Sequence, residues 1–193
     1  MIRYKLTDQD MQTYNNTQWV IGESKSTNGK GDLCGPGWLH CYSHPLLAVL
    51  LNPIHAAYVQ PRLFKCNATG NHKFEFGLKE GSTTMELIKE IPLPIITLEQ
   101  KIAFGILNTL KVYNNPDFQN WGKNWLNNID RSNTTAWAAA EAAWAARAAG
   151  AAAEAAWAAR AARAARAARA AARAAEAKIK LNLISIAKEA MKY

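Results

Sequence analysis

The chain has 193 residues, 23 Lys or Arg against 15 Asp or Glu, a formal net charge of +8 and three cysteines. That length accommodates one domain of ordinary size with an extension, and three cysteines read as reduced intracellular thiols, not as a disulfide framework. No run of about 18 apolar residues is present, which excludes a membrane-spanning helix, and the polar N-terminus MIRYKLTDQD does not read as a secretory signal.

Taken in chain order, the elements are those of an α+β protein: a small mixed domain over 1–130, a long Ala/Arg-rich helix over 131–177 and a short amphipathic segment over 178–193. Ile2-Arg3-Tyr4-Lys5-Leu6 alternates and reads as a strand. Gln18–Gly22 is a second strand candidate. Ser24–Gly37, rich in Gly, Ser, Lys and Asn, reads as a loop of unusual length, a feature that often carries function. Pro45–Leu51 reads as a short apolar helix stopped by Asn52-Pro53. Leu63–Cys66 and Phe74–Phe76 read as strands around a turn at Asn67–His72, and Met85–Ile91 as a further strand ended by Pro92 and Pro94. Thr97-Leu-Glu-Gln100 is a capping-box pattern, which opens a helix through about Val112. Ile102, Ile106, Leu107 and Leu110 give that helix one apolar face. Trp121, Trp125 and Leu126 continue in another helix.

Residues 136–177 are 29 Ala, 6 Arg, 3 Glu, 3 Trp and one Gly. Ala, Arg and Glu are strong helix formers, so the spacing predicts a helix roughly 60 Å long if unbroken. Ser132–Thr135 supplies its N-cap, and Gly150 is the one weak point, where a kink or break is the alternative to a continuous helix. From Glu141 to Glu176 the large residues recur every ~3.2 positions, short of the 3.6 of a helical turn. They therefore wind around the axis and form no heptad seam. The string AAAEAAWAAR occurs at 138–147 and again at 151–160, and on a straight helix the second copy is turned by about 220°. Such a tract reads as an assembly device with a positive surface, and a homo-oligomer is expected. Beyond it, Ile179, Leu183, Ile186 and Ala190 recur at helical spacing and predict a helix docked on a core, with a short strand over Lys178–Leu183 as the alternative.

Charge is divided unevenly. Residues 1–130 hold 12 Lys or Arg against 11 Asp or Glu, whereas residues 131–193 hold 11 against 4. An anionic partner is expected from this asymmetry, a nucleotide first and nucleic acid second. A membrane surface is disfavoured because the Arg residues encircle the helix. Arg forks on phosphate and aromatic stacking on a base are the chemistry such a ligand needs. Trp38, His40, Tyr42, His44, Arg62, Arg131, Trp144, Arg147, Trp157 and Arg160 are the candidates. Nonspecific nucleic-acid binding uses the same basic helix, but no recognition-helix or RNA-binding motif supports it.

Cys34, His40, Cys41, His44, His55, Cys66 and His72 form the densest cluster of reactive residue types. His40-x₃-His44 has a metal-ligand spacing, but no CxxC accompanies it and Cys34-x₆-Cys41 is wide. No third residue completes a Cys–His nucleophile. Neither a metal nor a cofactor is therefore expected, and Cys41 and Cys66 read as small core residues. The Gly29-Lys30-Gly31…Gly35-Pro36-Gly37 loop matches no Walker or dinucleotide motif, although backbone amides of such loops bind phosphates.

The strings LCGPGWLHCYSHPLLAVLLNPIH (33–55), KEIPLPIITLEQKIAFGIL (89–107) and WGKNWLNNIDRS (121–132) resemble an uncharacterised protein family of tailed phages and bacteria. That family joins such an N-terminal domain to an Ala-rich tail of variable length. The resemblance covers roughly residues 5–135 and implies a phage gene product in the bacterial cytoplasm, a setting in which small proteins counter host defences. It brings no catalytic residues. A second likeness joins GWLHCYSHPLLAVLL and the strand after it to the latter half of ADP-ribosyltransferase folds. In that enzymatic reading Glu86 or Glu90 would be the catalytic carboxylate. Deletion of residues 160–176 separates these expectations. If the tail is the binding site, anion affinity measured by calorimetry falls sharply, and if the site lies in the 24–66 region it survives.

Overall fold

Two long antiparallel strands, β6 (Arg62–Glu75) and β7 (Lys79–Ile91), organise the N-terminal part of the chain. The computed structural model describes residues 1–75, 79–132 and 181–193, and the chain divides into two compact units, Met1–Ile95 and Ile96–Tyr193. Sheet and helix are both present, as expected of an α+β protein.

In the first unit β1 (Ile2–Thr7) pairs with β6, from Ile2 opposite Asn67 to Thr7 opposite Arg62. The other edge of β7 carries two short strands in succession. These are β4 (Ser24–Ser26), opposite Thr84–Glu86, and β5 (Leu39–Cys41), opposite Glu80–Ser82. Just past β5, Tyr42 meets Tyr4 of β1, and the two exchange both backbone hydrogen bonds at 3.0 and 2.8 Å. The sheet thus curls until its first and last strands touch, which leaves β1 and β5 without a bare edge there. A separate ribbon of β2 (Gln12–Thr13) and β3 (Thr17–Gln18) delivers Trp19, whose Nε1 donates to Thr13 Oγ1 at 2.9 Å. The segment expected as one strand over Gln18–Gly22 is therefore divided, its later part making a single bridge from Ile21 to Leu87. The long loop expected from Ser24 begins as β4.

The turn expected at Asn67–His72 is not a turn. β6 runs through it, and the ladder shifts register between Thr69 and His72 and again between Lys65 and Cys66. Such bulges bend a strand and raise its twist, which is what a sheet needs in order to curl. Gly70 sits in the bulge at φ +76°, where an added Cβ would lie 2.2 Å from Thr83 Oγ1. The inner face then buries Phe64, Cys66 and Ala68 of β6, Met85 and Leu87 of β7, with Cys41 and Trp19. Alternation along β6 explains that set.

Helix α1 (Pro45–His55) follows β5 and buries Leu47, Ala48, Leu50 and Leu51. His44 caps it, Nδ1 accepting from the Leu46 amide at 3.2 Å, and Pro45 occupies the first turn, where no amide is needed. The helix does not stop at Asn52-Pro53. Pro53 falls in the last turn, where its missing amide forfeits one hydrogen bond and the helix continues to His55.

The second unit contains α2 (Leu98–Val112), α3 (Pro116–Leu126) and α4 (Leu183–Ala190). The capping box is formed as read, with Gln100 N on Thr97 Oγ1 at 3.2 Å and Thr97 N on Gln100 Oε1 at 3.0 Å. Ile102, Ile106 and Leu107 are buried and Leu110 is half-buried. Asn115 caps α3, which buries Trp121, Trp125 and Leu126. α4 packs on α2 and buries Leu183, Ile186 and Ala190, as their helical spacing predicts, whereas residues 178–180 of the strand alternative lie outside the described residues. Among the described residues no helix is long and apolar enough to cross a membrane. Of the Ala/Arg-rich tract, its cap and its repeat, everything from 133 to 180 lies outside the described residues.

Gly70→Ala tests the curled sheet. The substitution combines a left-handed backbone with a steric clash, and should lower stability by about 1–3 kcal/mol in urea unfolding. An unchanged midpoint would refute the bulge geometry.

Candidate functional site

In an antiparallel ladder, residues that exchange both hydrogen bonds recur every second position. After Tyr4 and Tyr42 the next such pair on β1 and β5 would be Leu6 and His40, but the backbone contact between these strands stops at the single bridge. The His40 carbonyl is taken instead by the ammonium of Lys5, Nζ to O at 2.9 Å. At this gap a pocket of about 180 Å³ opens, lined by Lys5, Leu6, Tyr14, His40, Tyr42, His55, Ala56, Tyr58 and Lys79. The volume is below the 300–1,000 Å³ of sites for drug-sized ligands. It suits one phosphate, one carboxylate-bearing fragment or one ring.

Lys5 inverts the simple reading of its strand. Alternation of Ile2, Arg3, Tyr4, Lys5 and Leu6 suggests that the charged positions face water, yet Lys5 is 5 % exposed and Ile2 is 44 % exposed. Lys5 lies opposite Phe64 and so points to the inner face, where Nζ stands 4.6 Å from the centre of the Trp19 ring. Burial lowers its pKa, opposed in part by the thiols of Cys66 and Cys41. The same inner face holds Arg3 on Glu80 as an ion pair.

The rings around the pocket are fixed from several elements. His40 Nε2 is bonded to the Leu33 carbonyl. Burial pushes the His40 pKa down to about 4, with that carbonyl opposing and Lys79 and Lys5 adding to the fall. Its imidazole is therefore neutral at pH 7. Tyr42 Oη meets His55 Nδ1 at 3.1 Å, and the two rings stack with centroids 5.7 Å apart. Burial drives the Tyr42 phenol well above its ordinary pKa, so it stays protonated. Tyr58 is placed by Asn52 at the end of α1, whose Nδ2 donates to the Tyr58 carbonyl at 2.8 Å and whose Oδ1 accepts from the Tyr58 amide at 3.2 Å. Lys79, at the start of β7, is buried and donates to Cys34 Sγ at 3.1 Å. Lys5 and Lys79 are both among the residues that line this small pocket, whose lining contains no carboxylate.

Of the residues named from sequence, His40 and Tyr42 are brought together here. Trp38 lies on the same strand extension but outside the lining. Its Nε1 donates to Gly31 O at 3.2 Å, and its ring is 5.9 Å from Lys73 Nζ. His44 is the α1 cap. Arg62 is committed to Glu90 through Nε at 3.0 Å and Nη2 at 2.6 Å, and Nη1 reaches Gln9 O. Arg131 is in the second unit, stacked 4.3 Å over Trp125 with Nε on the Trp125 carbonyl. Trp144, Arg147, Trp157 and Arg160 lie outside the described residues. The glycine-rich loop is closed on itself. Gly29 N and Thr27 Oγ1 both bond Gly37 O, and a Cβ on Gly37 would meet Lys30 O at 2.0 Å. Its glycines serve close backbone approach more directly than phosphate binding. Among the described residues no group of His, Cys, Asp or Glu stands together as a metal set.

Comparison with protein-family models, curated proteins and solved structures returned no match. The geometry therefore carries the functional reading.

Sequence reasoning missed Lys5, Tyr14, Tyr58 and Lys79. Lys79 precedes an unremarkable Glu-Gly-Ser run, and nothing in a single strand marks Lys5 as inward. His55 was visible only as a member of the Cys/His cluster. One signal was present at Asn52-Pro53: an Asn that closes a helix and bonds the backbone six residues on places whatever follows it.

Burial raises the Cys41 pKa to about 12 and the Cys66 pKa to about 11, whereas Cys34 is exposed. Iodoacetamide at pH 8 should therefore label Cys34 alone in the folded protein and all three thiols in denaturant. Rapid native labelling of Cys41 or Cys66, read by peptide mass spectrometry, would contradict the buried inner face.

Proposed function

We propose that the chain is a binding module that captures a small anionic ligand, foremost a nucleotide, and holds it without turning it over. The observation that supports this is a pocket lined by Lys5, Lys79 and several aromatic residues, with no carboxylate in its lining. Ammonium groups in a partly desolvated cleft bind phosphate or carboxylate with charge-assisted hydrogen bonds. Tyr42, Tyr58 and His55 offer ring faces and neutral hydrogen-bonding groups beside them. The volume takes a phosphate or one ring at a time, so the remainder of a nucleotide would extend past Tyr14, which is exposed at the rim.

The setting belongs to the same proposal. A phage product in the bacterial cytoplasm that sequesters a nucleotide signal of host immunity fits both the sequence resemblance and a capture role. The Ala/Arg tract then serves assembly, with its positive surface as a secondary attraction for anions. No specific observation favours the enzymatic reading: Glu90 is held by Arg62, and neither Glu86 nor Glu90 lines the pocket. The nucleic-acid reading rests on the charge of residues 131–193 alone.

Calorimetry of the full chain with inorganic phosphate, adenosine monophosphate, a cyclic dinucleotide and duplex DNA tests the reading. Expected are saturable binding of a nucleotide, its recovery intact after denaturation, and survival of binding when residues 160–176 are deleted. Lys79→Met should weaken the affinity about tenfold or more, the loss of one charge-assisted contact. Binding to DNA alone that collapses in modest salt, or an altered ligand, would overturn capture.

A further inference from the structure

We propose that Cys34 is a redox switch on the anion pocket: peroxide converts its thiol to a sulfenic acid, whose ionised oxygen pairs with the Lys79 ammonium and lowers the affinity of the pocket for anions. The inference rests on the anion-pocket reading and adds its regulation. Two successive residues of the glycine-rich loop each hold a side chain of the pocket lining. The Leu33 carbonyl accepts from His40 Nε2, and Cys34 Sγ accepts from Lys79 Nζ at 3.1 Å. The segment that carries them is seated on β7. Leu33 is buried there, where a Cβ on Gly81 would lie 2.5 Å from Leu33 Cδ1, and Lys79 is buried at the start of the same strand. Cys34 itself is exposed, whereas Cys41 and Cys66 are buried, so a dissolved oxidant meets Cys34 first. An oxygen added to Sγ falls beside an ammonium already directed at that sulfur. The contact of ammonium with sulfenate is charge-assisted, and so stronger than the contact with the thiol. It places a covalently held anion against a cation of the lining, which lowers the positive potential of the pocket without Nζ having to touch the ligand.

The chemistry balances with hydrogen peroxide as the oxidant. A sulfur lone pair of Cys34 forms the S–O bond as the O–O bond breaks, and the departing hydroxide takes the thiol proton to become water. Sulfur loses two electrons and the peroxide gains them, so one thiol and one peroxide give one sulfenic acid and one water. Dithiothreitol reverses the step. Its first thiol displaces the sulfenic oxygen as water and forms a mixed disulfide, and its second thiol releases the Cys34 thiol as the reagent closes to its cyclic disulfide.

The reduced full chain is treated with limiting hydrogen peroxide, and sulfenic acid is trapped with dimedone and mapped by peptide mass spectrometry. Untrapped protein is titrated with inorganic phosphate by calorimetry before peroxide, after peroxide and after dithiothreitol. Dimedone should mark Cys34 and neither Cys41 nor Cys66. Phosphate affinity should fall about tenfold after peroxide, the weight of one charge-assisted contact, and return with dithiothreitol, which leaves methionine sulfoxide unreduced. Cys34→Ser should show no response to peroxide. Absence of dimedone from Cys34, an affinity unchanged once Cys34 is oxidised, or a peroxide response that persists in Cys34→Ser overturns the switch and leaves the anion pocket standing. If the reduced protein binds no phosphate at all, the anion pocket fails and the switch falls with it. The wild-type arms carry the test, so it does not depend on how the variant folds.

Discussion

One buried ammonium group holds the first unit together where backbone pairing gives out. β1 and β5 touch through the Tyr4–Tyr42 exchange and then part, and the next carbonyl on β5 would be left bare. A buried, unpaired carbonyl costs roughly 1–3 kcal/mol. Lys5 spans the gap and satisfies it, at the cost of bringing a charge out of water. Trp19 offsets part of that cost with the face of its indole, which is why the β2–β3 ribbon must deliver Trp19 to this place. Closure of the sheet, the position of the ribbon and the floor of the pocket are thus consequences of one interaction.

The pocket follows from the same defect in pairing. Had the strands zipped on past Tyr4, Leu6 and His40 would face each other across a closed ladder with no room between them. The bulges in β6 supply the curvature that brings β1 round to β5 at all, and Gly70 permits the second of them. α1 then sets His55 at its end, and Asn52 folds the chain back so that Tyr58 joins the rim. The site is built on strand ends and a helix end, all held by buried contacts, which favours a preformed cavity over one assembled on binding.

Much of the second unit was legible in the chain because its signals are local. The capping box at Thr97 and Gln100, the apolar stripe Ile102, Ile106 and Leu107, and the helical spacing of Leu183, Ile186 and Ala190 each act within one or two turns of helix, and each is realised. In the first unit the local signals misled in several places, two of them instructive. Asn67–His72 has turn composition, but a long strand absorbs it as a bulge. Asn52-Pro53 has the composition of a helix stop, but a proline in the last turn costs too little to end the helix. The candidate site was half legible. His40 and Tyr42 share a face of one short strand, so period two finds them together, whereas the basic partners were sought in arginines. Arg62 proved to be spent on Glu90, and Arg131 on Trp125 and its carbonyl.

What the sequence by itself determined is a mixed α+β chain, the helix starts at Pro45 and Thr97, the apolar faces of its helices and the concentration of positive charge beyond residue 131. These depend on neighbours a few positions apart, where capping bonds and periodicity act. Only the tertiary structure decided that Lys5 points inward, that Lys79 joins it from a strand 74 positions later, and that no carboxylate shares their pocket. The reason is physical. The direction of a side chain on a strand is set by which face of the sheet is covered, and coverage is a property of the curled sheet as a whole. No alternation within five residues can report that both faces of β1 are enclosed from Lys5 onward, or that a gap in one ladder has left room for a cation and an opening beside it.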